Sequence, residues 1–194
     1  MDGKTKILAF AGSLRKGSYN KSLLRAALEL SPEHARIEAF DLDGIPPFSE
    51  DSEKQPPAKI KDFKMKIRQA DAILIATPEY NYSMPGVLKN AIDWASRPYG
   101  DNAFDGKPLA IMGASVGMTG TARAQYHLRQ SCVFLNMYPL NQPEVMVPFA
   151  HEKIDQSGRF TDEKTKQKIK ELLEALVVWT HCLRNGKNSE ISAT

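Results

Sequence analysis

Five short apolar runs, each separated from the next by a stretch long enough to hold a helix, constrain this chain more than any other feature. They fall at Lys6 to Ala11, Ile37 to Leu42, Ala72 to Ala76, Leu109 to Gly113 and Glu144 to Val147. The intervening stretches carry helical periodicity. Leu23, Leu24, Ala27 and Leu28 share one face over Lys21 to Leu30, and Ile60, Phe63 and Ile67 share one over Ala58 to Gln69. Val87, Leu88, Ala91, Ile92 and Ala95 mark a third helix, and a fourth spans Thr121 to Phe134. The last runs from Asp162 to about Cys182, with Ile169, Leu172, Leu173, Leu176 and Val177 at core spacing.

Parallel strands need a crossover of helix length between them, so strand and helix in alternation imply a parallel sheet covered on both faces. The expectation is an α/β fold: a flavodoxin-like, doubly wound five-stranded parallel sheet with helices on both faces. Such sheets bind ligands beyond the carboxyl ends of their strands, where the strand order reverses. That directs attention to the segments after the first, third and fourth runs.

With 194 residues and 42% hydrophobic composition, the chain reads as a single domain, residues 1–194, with a frayed tail from about residue 184. Its 26 Lys and Arg are interspersed with 23 Asp and Glu, leaving no basic block for nucleic acid. No apolar stretch approaches the roughly 18 residues of a membrane span. The early run ILAFA is too short for a signal-peptide core, so a cytoplasmic location is expected. Cys132 and Cys182 lie in helical patterns without a metal-ligand spacing and read as small buried hydrophobes. Ile45 to Lys59, rich in proline and charge, reads as an exposed connection able to border a site.

The segment after the first run, AGSLRKGSYNKSLL (Ala11 to Leu24), lacks both G-x-G-x-x-G and a Gly-Lys-Ser/Thr, which excludes a Walker A loop. It offers the hydroxyls of Ser13 and Ser18, the amide of Asn20 and the guanidinium of Arg15 at a helix N-terminus. Free first-turn N–H groups and the helix dipole favour an anion there, so the loop is a cage for a terminal phosphate. The alternative is an ordinary polar loop with Asn20 as a helix cap. Asp41, at the spacing of a ribose-binding acid, is one match to a dinucleotide pattern and by itself would support a flavin-free dehydrogenase.

After the third run comes TPEYNYSMPGVLKNAIDW (Thr77 to Trp94). Ser83 and Pro85 fit a helix start. Two tyrosines, an acid and an amide at a strand end suit a planar heteroaromatic ring, or else pack against the neighbouring helix.

Together these loops resemble the NADPH-dependent FMN reductase family, in its quinone and chromate reductase branch. The matching stretches are GSLRKGSYNKSLL, TPEYNYSMPGVLKNAIDW and GTARAQYHLRQ (Gly120 to Gln130). The resemblance implies FMN with its phosphate on Ser13, Arg15, Ser18 and Asn20, and its ring lined by Pro78, Glu79, Tyr80 and Asn81. Ser115 and Gly117, in GASVGMTG, match the family's turn beside the ring. It also implies ping-pong hydride transfer from NADPH or NADH to FMN N5 and then to quinones or other acceptors such as chromate, ferric, azo or nitro compounds, with no dedicated catalytic side chain. A homodimer or homotetramer is implied too, with Tyr126, Arg123 and Glu144 as an interface network, whereas His127 reads as surface. The competing expectation is a flavodoxin-like FMN electron carrier without NAD(P)H reductase activity of its own. Preference between NADPH and NADH stays open, with Arg15 or Lys16 able to meet a 2′-phosphate only where FMN has not claimed them.

Overall fold

A computed structural model describes the backbone of residues 3–191 and the side chains of residues 3–186. Four strands, β1 (Thr5–Ala11), β2 (Ala35–Phe40), β3 (Ala72–Ala76) and β4 (Pro108–Ala114), pair in parallel in the order β2-β1-β3-β4. The connecting helices are α1 (Tyr19–Glu29), α2 (Ala58–Gln69), α3 (Gly86–Ser96) and α4 (Ala122–Phe134), and α5 (Glu163–Ile191) follows the last strand. The fifth position is filled in two pieces along the outer side of β4. β5 (Tyr138–Pro139) pairs with Pro108 and Leu109, and β6 (Val145–Val147) with Met112 to Ala114. The interruption contains Pro143, and proline has no N–H to donate to a ladder.

The period-two alternation of the strands sorts the core into two layers. Ile7, Ala9, Ala11, Ala72, Leu74, Ala76, Ala110 and Met112 face α1 and α5. Leu8, Phe10, Ile73, Ile75, Leu109 and Ile111 face α2, α3 and α4. The first face is rich in alanine, which lets two helices approach closely. The second is bulkier and carries an aromatic cluster, where Phe63 of α2 meets Phe10 edge-on at 5.3 Å and stacks on Phe40 at 4.7 Å. Ile169, Leu172, Leu173, Leu176 and Val177 are all buried against the first layer, as their spacing predicts.

Four expectations change in detail. α1 begins at Tyr19 because the Ser18 hydroxyl, not Asn20, caps it by accepting from the N–H groups of Asn20 and Lys21. The Ile45 to Lys59 connection is strapped onto α3. Pro46 accepts from Asn90 Nδ2 and Trp94 Nε1, Phe48 packs edge-on against Trp94, and Arg97 pairs with Glu50 and Glu53. The stretch expected to fray continues as helix to Ile191, and Arg184 pairs with Asp71; residues 192–194 lie outside the described residues. Cys132 is buried, whereas Cys182 is exposed.

Asp162 caps α5, accepting from the N–H and hydroxyl of Thr165 at 2.8 and 2.6 Å. The hydroxyl bond holds its carboxyl below the ordinary aspartate range. A depressed carboxylate stabilises the fold above its unfolded pKa and loses that contribution as pH falls through the folded one. Asp162→Ala should therefore cost about 1 kcal/mol at neutral pH and progressively less as pH falls through the depressed folded value, read from urea unfolding across pH. An equal deficit at both ends would reject this role.

Candidate active site

Strand order reverses between β1 and β3, so the loops after these two strands flank the crevice that a doubly wound sheet opens at its carboxyl edge. In the first loop Ser13 and Ser18 are buried, while Leu14 to Gly17 stand exposed. The Ser13 hydroxyl accepts from Arg15 N–H and the Ser18 N–H donates to Arg15 C=O, which rolls the loop into a tight turn. Among the described residues no partner takes the N–H groups of Leu14, Lys16 or Gly17. Arg15 reaches back over the Tyr19 ring at 5.0 Å, and no acid occupies the first turn of α1. The result is a nest of free donors and positive charge at a helix N-terminus.

Asn20 is placed differently from the other members of that group. It is buried, and its carboxamide is held by β4: Nδ2 donates to Ala114 C=O and Oδ1 accepts from Ala114 N–H, both at 2.9 Å. Asn20 thus fastens this loop to the strand that launches the third loop. In that third loop Ser115 donates to Gly117 C=O, and its own backbone is bonded to Val147 and Ala150. Gly113 permits the crowding behind it, since a Cβ there would lie 1.8 Å from Thr121 Oγ1 and 2.5 Å from Thr77 O.

After β3, Thr77 donates its hydroxyl to Pro78 C=O, and Tyr80 and Ser83 exchange backbone hydrogen bonds at 3.0 Å. Asn81 and Tyr82 between them have φ of 50° and 65°, the left-handed pair of a tight hairpin turn. Ser83 does not cap α3; its hydroxyl meets His127 Nδ1, and Pro85 opens the helix. The turn thrusts Tyr80 and Tyr82 outward, and with Leu14, Val116 and Met118 they form an exposed apolar rim at the strand ends.

Glu79 is not part of that rim: its side chain is buried. Its buried carboxylate accepts from the N–H groups of Arg123 and Ala124 and pairs with the Arg123 guanidinium. It thereby caps α4, whose N-cap residue, Thr121, makes no side-chain cap at φ 77°. Arg123 in turn lies 3.7 Å over the Tyr82 ring. The sequence singled out both tyrosines but not Thr77, and the resemblance grouped Arg123 with Tyr126 and Glu144. The structure joins Tyr126 to Glu144 and Arg123 to the ring loop instead.

Residues 5–152 match the NADPH-dependent FMN reductases. The chain belongs to that family. An NAD(P)H-dependent FMN reductase of Pseudomonas aeruginosa is 53% identical over 186 residues, covering 95% of this chain and all of that protein. A 2-hydroxy-1,4-benzoquinone reductase of a Burkholderia species is 44% identical over 90% of this chain and 95% of its own length. Among solved structures, the flavoenzyme NAD(P)H:(acceptor) oxidoreductase of Paracoccus denitrificans superposes with a TM-score of 0.83 at 34% identity, covering 91% of this chain and 97% of that one. As an FMN reductase the chain is an oxidoreductase with FMN as cofactor and NAD(P)H as co-substrate. Its donor set fits that cofactor. The unpartnered amides of Leu14, Lys16 and Gly17 with the Ser13 and Ser18 hydroxyls match a phosphate monoester, and the rim of Tyr80, Tyr82 and Met118 matches a flat ring.

Other chemistry is poorly provided for. Among the described residues no group of three His, Cys, Asp or Glu could hold a metal ion, and no helix is long and apolar enough to cross a membrane. Burial pushes the Cys132 thiol up to about 12, where it is inert as a nucleophile at neutral pH.

Proposed function

We propose that this FMN reductase oxidises NAD(P)H and reduces quinones in two successive half-reactions at one open face above the strand ends, in the cytoplasm. The observation that carries this reading is the pairing, across the switch point, of a donor-rich loop at the start of α1 with an exposed apolar rim after β3 and β4. FMN held by this chain would supply the redox chemistry, the acceptance and release of a hydride.

The protein binds and orients. Ser13, Arg15 and Ser18 take the phosphate, and Pro78 to Asn81 set the height of the ring. The amides of Val116 and Gly117, unpartnered among the described residues, would be free to donate to the ring's polar edge. An open rim lets nicotinamide leave before the quinone stacks in its place, which is a ping-pong cycle. Quinone acceptors are supported by the names of the relatives. Chromate, ferric, azo and nitro compounds would draw on the same reduced cofactor without contacts of their own.

The visible spectrum of the purified protein tests this directly. Flavin absorbance should bleach anaerobically with NAD(P)H and return on adding benzoquinone. Absorbance that NAD(P)H does not bleach would assign the chain to electron carriage instead. Arg15→Ala removes one charge-assisted contact and should weaken FMN about ten- to hundredfold in a fluorescence titration with the fold intact. Unaltered affinity would remove Arg15 from the phosphate site.

The same reading includes a homodimer or homotetramer. Along α4, Tyr126, Val133 and Phe134 are 52, 82 and 78% exposed, a stripe of apolar surface on one helix, with Tyr99 nearby at 74%. Phe134→Asp should shift the sedimentation coefficient toward that of the monomer. An unchanged profile for it and for Tyr126→Ala would put the interface elsewhere.

A further inference from the structure

The sheet leaves a slot of about 320 Å3 between α1 and the edge strand β2, on the outer side of the phosphate loop. Leu24, Leu28 and Phe40 give it an apolar floor, and Lys16, Lys21 and Asp41 stand at its rim. None of these side chains is used by the FMN site described above. Lys16 makes no hydrogen bond or ion pair among the described residues, and Lys21 meets Asp41 only at 3.6 Å, with 29% of its side chain exposed.

The geometry points to this slot as the seat of the 2′-phosphoadenosine end of NADPH, with Lys16 and Lys21 as the residues that distinguish NADPH from NADH. The inference rests on the NAD(P)H oxidation proposed above. An apolar slot with a cationic rim suits a purine ring that carries a phosphate on its ribose. The phosphate is a strong acceptor, and two flexible ammonium groups can both turn to it.

Charge and position agree. An acid at the end of the second strand would repel a 2′-phosphate, but here Lys21 offsets Asp41, leaving its carboxylate to accept from the ribose 3′-hydroxyl. The strand order places the slot two to three strand spacings, about 10–14 Å, from the apolar rim after β3 and β4 where the nicotinamide would stack. An extended dinucleotide spans that distance, passing outside the phosphate loop. Lys16, at the exposed tip of that loop, is then the contact shared by the two halves of the path.

Calorimetric titration of the purified holoenzyme with 2′,5′-ADP and with 5′-AMP tests the slot without turnover. 2′,5′-ADP should bind about tenfold more tightly than 5′-AMP, and Lys16→Ala and Lys21→Ala should each weaken it roughly three- to tenfold. In quinone reduction the ratio of kcat/KM for NADPH to that for NADH should fall by the same factor, with flavin content measured in each variant. Equal binding of the two nucleotides, or 2′,5′-ADP affinity indifferent to both substitutions, would overturn the assignment. A protein that bleaches with NADPH yet shows no preference for 2′,5′-ADP loses the slot alone. One that prefers 2′,5′-ADP but never bleaches loses the proposed reaction and keeps the slot.

Discussion

Asn20→Ala should lower the melting temperature by roughly 4–24 °C and release FMN. Its carboxamide satisfies both backbone groups of Ala114, which is 1% exposed. Alanine leaves that N–H and C=O buried without partners, at about 1–3 kcal/mol each. For a chain of this size each kcal/mol corresponds to about 2–4 °C. Flavin is lost for a second reason, since the bond is what holds the phosphate loop in register with the Ser115 to Gly117 turn. Thermal melts with and without added FMN separate the two effects. If flavin affinity falls while the apoprotein melts unchanged, Asn20 acts on the phosphate rather than on β4.

The sequence carried the architecture because burial and periodicity coincide. Each central strand presents a two-residue alternation, and the helix positions picked out by spacing, such as Leu88, Ala91, Ile92 and Ala95, are buried in the sheet's second layer. β5 was illegible because two residues, one of them proline, carry no period. Ser13, Arg15 and Ser18 were readable as donors at the start of α1, since a helix start exposes donors in any context. The separate roles of Asn20 and Glu79 were not readable. Each side chain sits within a binding loop but spends its hydrogen bonds on an element 94 or 44 residues away, and residue type alone cannot distinguish a ligand contact from a brace. Both tyrosines were readable as ring surface, but the left-handed turn at Asn81 and Tyr82 that exposes them was not, since neither residue is glycine.

Glu79→Ala should destabilise the protein by about 2–3 kcal/mol and weaken flavin binding together. The carboxylate, 8% exposed, supplies the cap that α4 lacks and the anion that its dipole favours. Its loss also frees Arg123, though that guanidinium is 41% exposed and regains water, which keeps the cost below that of a fully buried pair. Glu79→Gln keeps an acceptor for the two N–H groups but not the charge, so it should fall about midway. Binding suffers because Arg123 holds the Tyr82 ring, and an unpinned arginine lets the Tyr80 to Ser83 turn shift by the ångström or so that stacking on a flavin does not tolerate. A double-mutant cycle with Arg123→Met isolates the coupling. A coupling energy near zero, or a Glu79→Gln variant that loses flavin at full stability, would move Glu79 from the helix cap to the ring itself.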